Sequence, residues 1–110
     1  MGLNLSRGAP AKYYSSDRIV QIIGNGLVAL IDEKTQYSNF FSKDEMVFYK
    51  DTDDLSSKII RIANDEKLRK SIAKKGKQKY FKYFNSSIIA EYIINKTFGY
   101  KNNHKYYWEQ

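Results

Sequence analysis

In the stretch SSDRIVQIIGNGLVALID, residues 15–32, Gly24-Asn25-Gly26 separates two incompatible hydrophobic patterns. Before it, Ile19, Ile22 and Ile23 recur at i, i+3, i+4, the spacing of one helical face. After it, residues 27–31 are apolar without a break, as expected of a short strand covered on both faces. A chain that runs helix, glycine turn, buried strand is committed to layers of helix and sheet, because such a strand needs apolar partners on two sides. A dinucleotide-binding fingerprint sets its glycines after a strand and before a helix, so that the pyrophosphate meets the positive helix pole. Here the order is reversed, and the amides near the glycines lie at the negative pole. The Gly-x-Gly is therefore expected to be a helix-closing turn, with glycine taking the left-handed conformation.

The rest of the chain fits the same scheme. Residues 1–5 read as a strand, stopped by Gly8 and Pro10. Ser15 or Ser16 is expected to cap the first helix, with Asp17 in its first turn. Tyr37, Phe40 and Phe41 suggest a short helix or turn packed on the sheet, and residues 45–49 a third strand. Asp51 or Thr52 starts a helix with Leu55, Ile59, Ile60 and Ile62 as its apolar residues. Asn64 or Asp65 starts the next, with Leu68, Ile72, Ala73, Tyr80 and Phe84 as its apolar face and Gly76 as a weak spot costing about 1 kcal/mol against Ala. Asn85 or Ser86 caps a last helix carrying Ile88, Ile89, Tyr92 and Ile93, closed by Gly99. Residues 100–110 are either disordered or packed through Tyr106, Tyr107 and Trp108. The expectation is α/β: a partial Rossmann-like three-layer domain over residues 1–99, with a short parallel sheet of about three strands and C-terminal helices, then a tail. Three strands leave an exposed edge, so a homodimer is one expected partner arrangement.

Composition removes several functions. There is no cysteine, and the single histidine is His104 in the polar C-terminal region, so no metal site and no Ser/His/Asp triad is expected. No cofactor is expected. The longest apolar run, residues 27–31, falls far below the roughly twenty residues of a membrane helix. A soluble, cytoplasmic chain is expected, with peripheral contact at the inner membrane face allowed by its charge. Of the net +7, residues 67–82 alone hold eight Lys or Arg and no acid. That face is either a solvated helix surface or a binding surface for anionic lipid or, less favoured, nucleic acid.

The helix that opens after the first strand offers amides, two serine hydroxyls and a positive pole at a strand's carboxyl end, where open α/β sheets bind ligands. Ser15 and Ser16 are equally explained as an ordinary cap. Arg18 could pair with a phosphate and Gln21 could hydrogen-bond a ribose hydroxyl, although an exposed polar face accounts for both.

From Leu3 to about Phe98 the chain resembles the C-terminal, donor-binding domain of two-Rossmann-domain (GT-B) glycosyltransferases of the group 1 type, and within these the spore-maturation-like subgroup. The residues that carry this are Leu3-Asn4-Leu5-Ser6-Arg7, Asp17-Arg18-Ile19-Val20-Gln21-Ile22-Ile23-Gly24-Asn25-Gly26, the strand at 27–31, Phe40-Phe41 and Asp44-Glu45-Met46-Val47-Phe48-Tyr49. Asp53-Asp54-Leu55 and Leu68-Arg69-Lys70-Ser71-Ile72-Ala73-Lys74-Lys75-Gly76 continue it.

The resemblance implies a site for a nucleotide-diphosphate sugar. It gives Ser15 and Ser16 to the diphosphate and makes Arg7 and Arg18 phosphate partners. Gln21 stands where the family has a ribose-binding Glu, so the ribose contact loses its negative charge. Tyr13 stands where related families have a Glu near the donor sugar. The acceptor-binding domain and the first strands of the donor domain are not in the matched region. The expected function is thus a glycosyltransferase fragment, inactive alone, that contributes the donor site and needs an N-terminal domain or partner subunit. The alternative is a non-catalytic basic module for nucleic acid or an anionic membrane. No catalytic residue is assigned.

Overall fold

A computed structural model describes residues 1–5, 8–15, 17–101 and 105–109. Strand β1 (Gly2–Asn4) leads to helix α1 (Arg18–Gly24), strand β2 (Ala29–Asp32), two single 3-10 turns (Glu33–Thr35 and Tyr37–Asn39) and strand β3 (Val47–Tyr49). Helices α2 (Thr52–Asn64), α3 (Glu66–Tyr83) and α4 (Ser86–Phe98) follow, and a 3-10 turn (Tyr107–Glu109) ends the described chain. The three strands form one parallel sheet in the order β1-β2-β3, with Leu3 beside Leu30 and Leu30 beside Val47.

The strand period of two splits the apolar run between two layers. Ala29 and Ile31 face α1 and meet Ile19, Ile22, Ile23, Phe41 and Met46. Val28 and Leu30 face the other way and meet Val47, Tyr49, Ile62, Ile72 and Ala73. Burying Leu30 and Ile31 completely contributes roughly 1.5–3 kcal/mol each. Gly2 lets Ile22 lie directly on β1, for a Cβ there would stand 2.6 Å from the Ile22 side chain. This is the partial Rossmann-like architecture that the alternating elements predict.

The Gly-x-Gly closes α1 as expected. The Gly26 amide donates to Ile23 O (3.0 Å) and the Leu27 amide to Ile22 O (3.1 Å), with Gly26 at φ +73°. These two bonds satisfy the last carbonyls of the helix in a Schellman motif. The later helices start on side-chain caps. Asp51, Asp65 and Asn85 accept from the amides of Asp54 (2.8 Å), Leu68 (3.0 Å) and Ile88 (3.0 Å), each cap being worth about 1 kcal/mol.

Helix α3 is the element that ties the two layers together. Its first half places Leu68, Ile72 and Ala73 on one side of the sheet, and its second half places Tyr80, with the C-cap residue Phe84, on the other. The crossing runs past the amino ends of the strands, where Gly76 abuts the Glu45 carbonyl and Lys77 reaches Gly26. The carboxyl ends of the strands are the opposite edge.

Several local expectations are corrected. Leu27 lies outside β2 and is 46 % exposed, because the chain is still leaving the helix cap. Ile60 is 61 % exposed, since Leu55, Ile59 and Ile62 define the packed side of α2. Helix α4 buries none of its residues: Ile88 and Tyr92 are half-buried, whereas Ile89 and Ile93 are exposed. Gly76 is required rather than weak, because a Cβ there would run into the Glu45 carbonyl oxygen. The described part of the tail is packed. Buried Tyr106 donates its hydroxyl to Glu91 Oε1 (2.8 Å) and accepts from Asn95 Nδ2 (3.2 Å), while Trp108 stacks on Tyr106 with centroids 5.1 Å apart.

Candidate functional site

Between β1 and α1, Tyr13 and Ser15 are held by the turns that follow β2 at the carboxyl edge of the sheet. Tyr13 adopts φ +60°, a conformation that L residues other than Asn and Asp seldom take. It is held there by its amide, which donates to Thr35 O (2.7 Å), and by its ring, 4.9 Å from Phe40. Its hydroxyl accepts from Asn39 Nδ2 (3.0 Å), which leaves the phenolic proton to be donated elsewhere. Thr35 is fully buried, and its hydroxyl donates to Asp32 O (2.7 Å), so the clasp is anchored on the end of β2.

Ser15, two residues further on, is half-buried, with its Oγ 2.6 Å from the hydroxyl of Tyr37. That bond replaces the expected Ser15 cap. The residue at the N-cap position is Asp17, and its side chain makes no capping bond. Ser16 and Arg7 lie outside the described residues. Arg18 and Gln21 are exposed and three apart on α1, so they share one open face. Arg18 enters no ion pair among the described residues.

Ser15 and Tyr37 form the polar lip of a cleft of about 450 Å³ between α1 and α4. Ile19, Val20 and Ile23 line it from α1, Phe40, Phe41 and Phe84 from its floor, and Ile89, Ile93 and Trp108 from the far side. The structure thus gathers Ser15 and Tyr37 at one rim, sets Tyr13 beside it against Phe40, and leaves Arg18 and Gln21 on solvent-facing α1, outside the cleft lining. Tyr37 is the residue that the sequence hid. Its spacing to Phe40 and Phe41 made it look like packing alone, and only the fold brings its hydroxyl to Ser15.

Ionisation around the sheet is set by burial and near neighbours. Burial, and then the Asp32 charge next to it in register, push the Tyr49 hydroxyl above its ordinary pKa of 10.0. Burial would depress the Lys79 ammonium, but its hydrogen bond to Tyr107 (2.6 Å) and the Glu45 charge (3.5 Å) outweigh burial and raise its pKa. Glu45 Oε2 is buried and faces the Lys79 ammonium at 3.5 Å, while Oε1 accepts from Ser42 (2.9 Å). Among the described residues, no group of three or more His, Cys, Asp or Glu could hold a metal ion. No helix among them is long and apolar enough to cross a membrane.

A three-strand parallel sheet covered by helices on both faces defines a partial Rossmann-like domain. Residues 1–95 match the family described as glycosyl transferase-like, and the chain belongs to that family. Searches of curated proteins and of solved structures gave no match.

Proposed function

We propose that this chain supplies the nucleotide-diphosphate-sugar site of a two-Rossmann-domain (GT-B) glycosyltransferase of the spore-maturation-like type. The observation that carries the reading is that Tyr13 and Ser15, between β1 and α1, are tied to the turns that follow β2 in a parallel sheet, in a chain whose first 95 residues belong to a glycosyl transferase-like family. Arg18, with Arg7, offers positive charge to the diphosphate, and the hydroxyls of Ser15 and Ser16 offer hydrogen bonds. Gln21, on the same open face as Arg18, hydrogen-bonds the ribose hydroxyls as a neutral amide. Tyr13 presents its phenolic proton toward the sugar. Activation of the acceptor belongs to a further domain or partner subunit, so the 110 residues alone bind donor and transfer nothing.

Isothermal calorimetry with UDP, GDP and ADP tests this. Binding of at least one diphosphate, weakened about tenfold or more by Arg18→Ala, supports it, since a lost charge-assisted bond costs about 1.5–3 kcal/mol. Failure of all three to bind, or sugar turnover by the isolated chain, contradicts it.

A further inference from the structure

The face of α3 that looks away from the sheet carries a second surface, at the opposite edge from the donor site. Lys67, Lys70, Lys74, Lys77 and Phe81 fall within one arc of the helix and extend over about 21 Å of its length. Lys70, Lys74 and Lys77, with Arg69, line a groove of about 320 Å³ whose other wall includes Leu27. No acidic residue lines that groove among the described residues. Glu66, the one acid of α3, pairs with Lys70 at 2.7 Å, with both side chains well exposed, so the pair neutralises little. Arg69 is already engaged, donating to the carbonyls of Ile62 (3.2 Å) and Ala63 (3.1 Å).

Two apolar side chains stand among these charges. Leu27 is 46 % exposed at the groove wall, and Phe81 is 49 % exposed with Lys77 Nζ 5.9 Å from its ring. We infer that this face docks on an anionic lipid surface. The other cations of this face are lysines, hydrated point charges on flexible stems, which suit a diffuse sheet of headgroups; the guanidinium of the groove, Arg69, is spent on α2. Exposed Leu27 has no role against a nucleic acid backbone and a direct one at the headgroup boundary, where apolar side chains insert beside lysines. The charge complementarity requires an anionic partner, and the interspersed aliphatic group selects lipid. Docking here leaves the carboxyl edge of the sheet turned away from the bilayer. The inference is independent of the donor-site reading.

The test is co-sedimentation of the whole chain with vesicles of equal parts phosphatidylglycerol and phosphatidylcholine, against vesicles of phosphatidylcholine alone. The chain binds the first, is released by salt and ignores the second. The triple reversal Lys70→Glu, Lys74→Glu, Lys77→Glu lowers affinity by about tenfold or more, as loss of several juxtamembrane charges should. The same charge change made at exposed Lys34, Lys43 and Lys101 costs much less. Leu27→Gln weakens binding about threefold while leaving the salt dependence in place. If a triple variant loses its helical circular dichroism, the single reversals Lys74→Glu and Lys34→Glu replace the pair. Equal losses at the two sites, indifference to Leu27→Gln, or tighter binding to a single-stranded RNA oligonucleotide than to the anionic vesicles at one ionic strength overturns the inference.

Discussion

The carbonyl oxygen of Glu45 occupies the space that a Cβ on Gly76 would need. That contact lets α3 cross from one layer to the other against the amino end of β3. Helix propensity alone says that Gly76→Ala stabilises an exposed helix interior by about 1 kcal/mol. The packing says the opposite. The obstacle is backbone rather than a yielding side chain, so Gly76→Ala destabilises by about 1–3 kcal/mol in chemical denaturation followed by circular dichroism. An unchanged or raised midpoint contradicts the crossing geometry.

The two glycines of the opening motif are predicted to behave differently. Gly26 holds φ +73°, and Gly26→Ala costs about 1–2 kcal/mol, the penalty of a Cβ in the left-handed region. Gly24 is the last residue of α1 with open space around its missing Cβ, so Gly24→Ala is neutral or stabilising by up to about 1 kcal/mol. Thermal unfolding of the two variants checks this. Equal effects contradict the Schellman assignment.

Much of this was legible in the sequence. The change of period across Gly24-Asn25-Gly26 located α1 and β2, and the caps at Asp51, Asp65 and Asn85 located the three later helices. These are local signals: each depends on residues within a few positions of one another. What failed depends on distance. Nothing near Gly76 announces the Glu45 carbonyl, and nothing near Ser15 announces Tyr37, 22 positions away. The apolar residues of α4 were legible, but the pattern of a helix does not say how many of its sides the fold will cover, and α4 buries none. At the site, the residue types at 13, 15, 18 and 21 were readable, but that only Ser15 among them would reach the cleft lip was not.

The Ser15–Tyr37 pair is predicted to be energetically coupled. Ser15→Ala and Tyr37→Phe each destabilise by about 0.5–1.5 kcal/mol, and the double variant costs less than their sum. A double-mutant cycle in urea reads the coupling. Strict additivity would mean that the hydroxyls do not bond in solution.

The pH dependence follows from the two raised groups. Tyr49 is raised, so above about pH 10 the unfolded chain releases this proton while the folded chain retains it. The folded state then binds more protons, and stability falls as pH rises. Lys79 is raised too, so its contribution is complete below its ordinary 10.5 and is lost as pH climbs through the folded value. Both losses are alkaline. The melting temperature should fall above about pH 10, and Tyr49→Phe should make that fall shallower. On the acid side, the Lys50 amide and then the Lys58 ammonium hold Asp54 below its ordinary 3.8, so its contribution is present above that value and disappears below it. Asp54→Asn flattens the acid limb. Slopes unchanged in either variant contradict these assignments.

The most direct test of the donor-site account is a titration of the ¹⁵N-labelled chain with UDP and GDP, read amide by amide. The account predicts that the largest shifts fall on Tyr13, Ser15, Arg18 and Gln21 at the carboxyl edge of the sheet, while Lys70, Lys74 and Lys77 on α3 stay in place. Shifts confined to α3, or no shift at saturating diphosphate, would contradict it.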